Sequence, residues 1–295
     1  MEALTQDQVK ETRTQKLLRL LNLGNDFYDD GIPKRVFSYS QYNSYKICGK
    51  AYEIKYVDGT KVPAYASTTK GLSVHAGVEF MLTAKKLGAP ITVEAGVGAL
   101  EKSFEDEAMN VKDWGEFKQG EIKDEAIAIL KHFAVYALPR INPLEIEKGF
   151  AKKIGNVPVI GWIDLIDEQP TIAIKGMSEE EQALAPKQRI TVDFKTGRAK
   201  WSENELNRDP QMTLYSFVEG TPHVRVDQLI TLKKGPQYIR GESTRKPEDA
   251  EILVEDMNEV VEFIKAGVFP KTQIDNWCCN PEHCSFHALC RGRKR

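Results

Sequence analysis

The sequence predicts an α/β protein in which a central mixed β-sheet is flanked by helices. Three observations predict it. Helical patterns fill residues 37–135, the apolar period switches to two from residue 144, and strand and helix patterns alternate again after residue 208. At 295 residues the chain can bury a substantial core, as one large domain or two small ones. Its composition, 41% hydrophobic and 28% charged, is that of an ordinary soluble protein. A net charge of −2 neither proposes nor forbids a nucleic-acid partner, which local basic patches would have to attract. No apolar run approaches the ~18 residues of a membrane span, and the N-terminus lacks a signal-peptide core. A cytoplasmic or nuclear protein with no membrane partner is expected (in the host cytoplasm if viral).

Residues 6–23 read as an amphipathic helix stopped by Gly24, followed by the acidic, turn-prone loop 25–33. Ser38 or Ser40 then caps a helix carrying Tyr39, Tyr42, Tyr45 and Tyr52 at near-helical spacing. That stripe suits core packing or, alternatively, a stacking platform for bases. A second helix opens at Gly71–Leu82, with His75 and Glu79 on one face. Two more, over 92–111 and 113–135, form a helical insertion or cap over the sheet. Leu144–Ile154 and Val157–Asp167 flank Gly155-Asn156, a hairpin signal. Within the second arm Asp164 sits among apolar neighbours, where a carboxylate needs a cation or strong donors. A short strand, Thr171–Ile174, and a charged loop over 177–188 complete this stretch.

The segment Ile190–Gly197 reads as the central strand. Ile190, Val192 and Phe194 alternate with Thr191, Asp193 and Lys195, so acid and lysine share a face. Such a pair suits a metal-dependent phosphodiesterase, in which the carboxylate binds a divalent cation and the ammonium positions or activates water. The plainer alternative is an ion pair on an edge strand. Asp209 and Pro210 open the next helix, which places Gln211 and Tyr215 one turn apart. Val226–Lys233 returns as a strand, and residues 247–266 form an amphipathic helix capped by Thr244 or by Pro247-Glu248-Asp249. No phosphate-binding G-x-x-x-x-G-K-[ST] loop occurs, which argues against an ATP-driven motor.

Of five cysteines, Cys48 stands alone while Cys278, Cys279, Cys284 and Cys290 crowd the C-terminus. In a reducing compartment such clustering favours metal or iron–sulfur ligation over disulfides.

Six pieces occur in order. They are Gly71-x-x-x-His75, Gly161-x-Ile-Asp164, Val192-Asp193-Phe194-Lys195-Thr196-Gly197, Asp209-Pro210-Gln211-x-x-x-Tyr215, Cys48 and the C-terminal cysteines. Together they resemble the PD-(D/E)xK nuclease superfamily, in its RecB-like and CRISPR-adaptation-type exonuclease branch with a four-cysteine iron–sulfur cluster. The resemblance spans residues 37–290 and implies a restriction-endonuclease-like core. One nuclease domain would occupy 37–295, preceded by an N-terminal helix and loop over 1–36. It further implies that His75, Asp164 and Asp193 bind Mg2+ or Mn2+, with the Phe194 carbonyl as an extra ligand. Lys195 would orient or deprotonate the attacking water, Gln211 would hold Lys195 or the scissile strand, and Tyr215 would contact the DNA backbone. Asp193 stands where glutamate is commoner in the family, which shortens the metal arm.

The same resemblance implies a 4Fe-4S cluster on Cys48, Cys279, Cys284 and Cys290, with Cys278 as the alternate to Cys279, in the region 276–290. A zinc site on Cys279, Cys284, Cys290 and His283 or His287 is the competing reading. The expected activity is a metal-dependent DNA exonuclease acting on single-stranded ends, in recombination, repair or phage DNA processing. Expected partners are DNA with free ends and a helicase or recombination protein. The alternative is a catalytically silent DNA-binding scaffold on the same fold. Against it, inactivated members lose a metal acid or the lysine, and His75, Asp164, Asp193 and Lys195 are all kept.

Overall fold

The computed structural model describes residues 28–29, 32–33, 37–61, 65–111, 114, 118–171, 178 and 184–292. The helix expected over 6–23, most of the strand expected at 171–174 and much of the loop at 177–188 lie outside the described residues. A five-stranded sheet forms the middle layer. Its strands β1 (Pro143–Ile154), β2 (Val157–Pro170), β3 (Lys187–Gly197), β4 (His223–Leu232) and β5 (Gly235–Thr244) lie side by side in chain order. All neighbours pair antiparallel except β3 and β4, which are parallel. A parallel neighbour cannot be reached by a tight turn, so the β3–β4 connection carries two helices, α5 (Glu203–Arg208) and α6 (Pro210–Glu219). β3 is thereby central, as its apolar alternation predicts.

Each face of the sheet is covered by helices with an apolar stripe at helical spacing. On one face α2 (Ala66–Lys86), α3 (Val93–Ala108) and α4 (Gln119–Tyr136) bury Val74, Val78, Leu100, Ile129 and Phe133 against Ile190, Val192 and Phe194 of β3. The helices expected over 92–135 therefore do lie over the sheet. On the other face α1 (Tyr39–Ile47), α6 and α7 (Pro247–Lys265) bury Tyr42, Tyr45, Met212, Tyr215 and Met257 against Val224 and Val226. Each such fully buried aliphatic side chain contributes roughly 1.5–3 kcal/mol.

Local signals account for several boundaries. Ser38 caps α1, its hydroxyl accepting from the Gln41 amide at 3.3 Å. Asp209 caps α6 by accepting from Met212 N at 2.9 Å, with Pro210 at the first helical position. α7 starts without Thr244; there the Lys246 amide donates to Asp249 at 2.8 Å. The short α5 and the edge strand β5 are among the elements not expected. β2 runs unbroken to Pro170, three residues past the end expected for it at Asp167.

Three charged residues are sunk in the sheet on the face of Val192. The Arg225 guanidinium donates from Nη1 to Asp167 at 2.6 Å, and from Nε and Nη2 to Asp227 at 2.9 and 3.0 Å; all three residues are fully buried. Asp167 also accepts from Asn142 N and Gln169 Nε2. Burial alone would lower the Arg225 pKa, but Asp227 and Asp167 overcome it and raise it. The arginine ties β4 to β2 across β3, and removing it leaves two buried carboxylates uncompensated. Arg225→Met is expected to lower unfolding free energy by about 3–5 kcal/mol in urea titrations. A loss below about 1 kcal/mol would show that the triad does not hold the sheet.

Candidate active site

The catalytic candidates converge where β2 and β3 part. Paired positions run from Pro170–Lys187 to Leu165–Val192 and stop one residue short of Asp164 and Asp193. There the Phe194 amide donates to Asp164 Oδ2 at 2.7 Å, so a side chain takes over from the neighbouring strand's backbone. Asp164 and Asp193 thus stand across the gap at the end of the central strand.

His75, on α2, fills one side. Its Nε2 lies 2.9 Å from the Phe194 carbonyl; a carbonyl only accepts, so Nε2 carries the proton. The lone pair on Nδ1 then faces Asp164 Oδ2 across 3.8 Å. Two acceptors that cannot bond each other, one held by a backbone carbonyl from behind, make an arrangement suited to a cation. A third donor completes it. Glu147 of β1 brings its carboxylate to the same place, and one ligand atom from each of His75, Glu147 and Asp164 lies within 4.8 Å of the others. Mixed nitrogen and oxygen donors of this kind fit a divalent cation.

Glu147 was not a sequence candidate, yet the hairpin contained the signal. The Gly155-Asn156 turn pairs Ile146 with Leu165 and Lys148 with Ile163, leaving Glu147 opposite Asp164. Its φ is +47°, the single left-handed non-glycine residue among those described. Such a conformation costs about 1–3 kcal/mol and persists where surrounding structure enforces it.

The lysine lies on the other side. Lys195 Nζ meets Asp193 Oδ2 at 2.7 Å and donates to Gln211 Oε1 at 2.8 Å, with the Trp201 ring centre 6.0 Å away. Gln211 Nε2 uses both protons, on Asp193 Oδ1 at 3.1 Å and on Tyr215 Oη at 2.7 Å. Tyr215 in turn donates to the Trp162 carbonyl at 2.7 Å. One amide therefore orients the acid and the lysine together.

Tyr215 itself does not reach the cleft, contrary to the DNA contact the resemblance implied. It is 5% exposed, its hydroxyl both donates and accepts internally, and its ring packs edge-on against Phe150. Gly161 makes room for that packing, because a Cβ there would meet the Phe150 ring at 2.6 Å. Tyr215 acts as a positioning residue behind Gln211. The Phe194 carbonyl, expected as a metal ligand, accepts from His75 and so orients the ring.

The electrostatics follow from burial. Asp164 is pushed from its ordinary 3.8 to about 7, by burial first and by the Asp193 charge second. Burial pulls the Lys195 ammonium down, but Asp193 more than offsets it and leaves the pKa raised. Lys195 is therefore charged at neutral pH.

All five cysteines line one cavity of about 290 Å³ between the end of α1 and residues 271–291. The Cys48 backbone is extended and breaks the helix between Ile47 and Gly49. Burial raises the Cys284 pKa, and the nearby Cys48, Cys279 and Cys290 raise it further. Cys278 Sγ lies 3.9 Å from the Ile47 carbonyl. Among the described residues no three cysteine sulfurs lie within 4.8 Å of one another.

A carboxyl group with a raised folded-state pKa contributes stability below its unfolded pKa, near 4, and loses it as pH rises through about 7. In EDTA the wild-type Tm is therefore expected to fall by a few degrees between pH 5 and 8, relative to Asp164→Asn. Added Mn2+ should restore more at pH 8 than at pH 6, because cation and proton compete. Parallel pH curves for the two proteins would contradict this account of Asp164.

Among the described residues, no helix is long and apolar enough to cross a membrane. A search of curated proteins finds no significant match to this chain. Among solved structures, a candidate exonuclease from Eubacterium rectale is similar, with a TM-score of 0.50 and 13% identity, covering 95% of this chain and 92% of its own. That likeness shows the fold. A second structure, SSO0001, has a TM-score of 0.36 at 14% identity, covers 85% and 97%, and carries no argument. The sequence profile of the PD-(D/E)XK nuclease superfamily matches residues 36–291, nearly the whole chain. Nucleases of that group use divalent metals and cut DNA. With this match and the mixed sheet that carries Asp164, Asp193 and Lys195, the chain belongs to the PD-(D/E)XK nuclease superfamily.

Proposed function

We propose that this protein is a metal-dependent deoxyribonuclease that hydrolyses phosphodiester bonds from single-stranded DNA ends, as an exonuclease in recombination, repair or phage DNA processing. The observation that carries the reading is the joint orientation of Asp193 and Lys195 by Gln211, beside the His75–Glu147–Asp164 donor group. A Mg2+ or Mn2+ ion on His75, Asp164 and Glu147, with Asp193 alongside, would supply Lewis-acid stabilisation of the phosphate. The chain's own residues do the rest. Lys195, charged and anchored at two points, orients water and offsets phosphate charge rather than removing a proton. His75 is fixed in one tautomer by Phe194, and Gln211 is held by Tyr215.

The test is degradation of end-labelled single-stranded DNA with Mn2+ or Mg2+, using protein purified without oxygen. Wild type should release short products, while Lys195→Ala and Asp193→Ala, folded by circular dichroism, should lose at least about a thousandfold in rate. Equal activity in all three would refute the metal-nuclease reading.

For the cysteines, the reading is a 4Fe-4S cluster on Cys48, Cys279, Cys284 and Cys290. Support comes from the cavity these four cysteines line together, from their influence on Cys284, and from Arg291. The Arg291 pKa is raised, mainly by its hydrogen bond to Cys279, and its charge also faces Cys290 and Cys48. Purified protein should be brown and carry roughly four irons and four sulfides per chain. Cys279→Ser should lose them and Cys278→Ser keep them; stoichiometric zinc in a colourless sample would decide for zinc.

A further inference from the structure

The four tyrosines of the first helical stretch do not share one role. Tyr42, Tyr45 and Tyr52 are buried in the core under the sheet, whereas Tyr39 and, one turn beyond, Tyr56 are only half-buried. Those two line a cleft of about 470 Å³ whose floor at one end is Lys195 and Gln211. Its long wall is one face of α1 and its continuation, carrying Ser40, Asn43 and Ser44. Lys55 stands on the rim, Nζ 4.9 Å from the Tyr56 ring centre. The lining holds two lysines and no acid, though the carboxylates of the reaction centre lie directly behind Lys195. From Ser40 to Ile47 the wall runs ~10 Å. At a ~3.4 Å rise per nucleotide that length takes two to three nucleotides of one strand.

We infer that this cleft is the track along which a single DNA strand leads to the scissile phosphate, with Tyr39 and Tyr56 as stacking partners for its bases and Lys55 as a phosphate contact. Each part has a physical ground. Aromatic rings accept any base, so a chain-length reader without sequence preference needs them. Hydroxyls and amides on a helix wall give neutral donors to a phosphate backbone, and Lys55 can leave the Tyr56 ring for a phosphate when a base covers that ring. The cleft is continuous with the site where Lys195 is anchored, so the strand needs no other path to it. The inference rests on the nuclease reading for the identity of the chemistry at its floor, but not for binding itself.

The test uses full-length protein purified without oxygen, without added divalent metal, and fluorescently labelled oligothymidylate read by anisotropy at low salt. One set of oligonucleotides carries an abasic nucleotide at successive positions from the end. Wild type should lose about tenfold in affinity at one or two abasic positions, since base–aromatic stacking is worth roughly that per base. The double variant Tyr39→Ala/Tyr56→Ala should bind normal DNA some ten- to hundredfold more weakly and no longer discriminate against abasic positions. Tyr39→Phe/Tyr56→Phe, which keeps both rings, should match wild type. The inference fails if the alanine variant keeps the abasic penalty, if it binds like wild type, or if wild type shows no penalty. A protein that cleaves no DNA yet shows the tyrosine-dependent penalty would overturn the nuclease reading and leave the strand track standing.

Discussion

The structure turns on one substitution of partners: where β2 and β3 stop pairing, a carboxylate replaces a backbone carbonyl. Up to Leu165 and Val192, β2 and β3 satisfy each other through their main chains. One residue later the Phe194 amide bonds to Asp164. Because the amide is satisfied, the strands can separate without orphaning a buried donor. Because the acceptor is a carboxylate, the same bond opposes part of the rise in pKa that burial imposes on Asp164. The gap thus opened is what His75, Glu147 and Asp193 look into.

Holding such a gap requires rigidity around it, and the sheet supplies this in two ways. Apolar helices close both faces, so neither β2 nor β3 can shift without disturbing a packed layer. On the face away from Lys195, the buried Arg225 clamps Asp167 and Asp227 and ties the strands on either side of β3. Charges on the two sides of one strand therefore serve opposite ends. Those around Arg225 are fully paired, and those around Asp164 are left with acceptor facing acceptor.

Much of this was legible in the sequence wherever the signal was local. Alternation in Ile190–Gly197, the Gly155-Asn156 turn, and Asp209 before Pro210 each fix a strand, a hairpin or a helix start from a few neighbouring residues. Asp193, Lys195 and Asp164 stood out this way, whereas His75 and Gln211 entered through the family resemblance; the five lie near one another. What was missed depends on pairing and packing. β5 reads Gly-Pro-Gln-Tyr-Ile-Arg-Gly-Glu-Ser-Thr, an edge strand too polar to alternate, defined only by its partner β4. α5 is six residues, polar but for the buried Leu206, held by the Ser202–Glu205 cap. Glu147 belongs to the site through cross-strand register, and Tyr215 is withdrawn from it by contact with Phe150, far away in sequence.

The hairpin has a further consequence. Glu147 lies eight residues before Gly155, and Asp164 eight residues after Asn156. The turn therefore works as a ruler measured from its zero in both directions. Changes of residue type along the arms leave the two carboxylates level. A single insertion or deletion in one arm moves one of them by a full step and turns alternate side chains to the wrong face. Geometry thus fixes the length of this segment more tightly than its composition, and a loop grafted between Gly155 and Asn156 lengthens the ruler's handle without altering its scale.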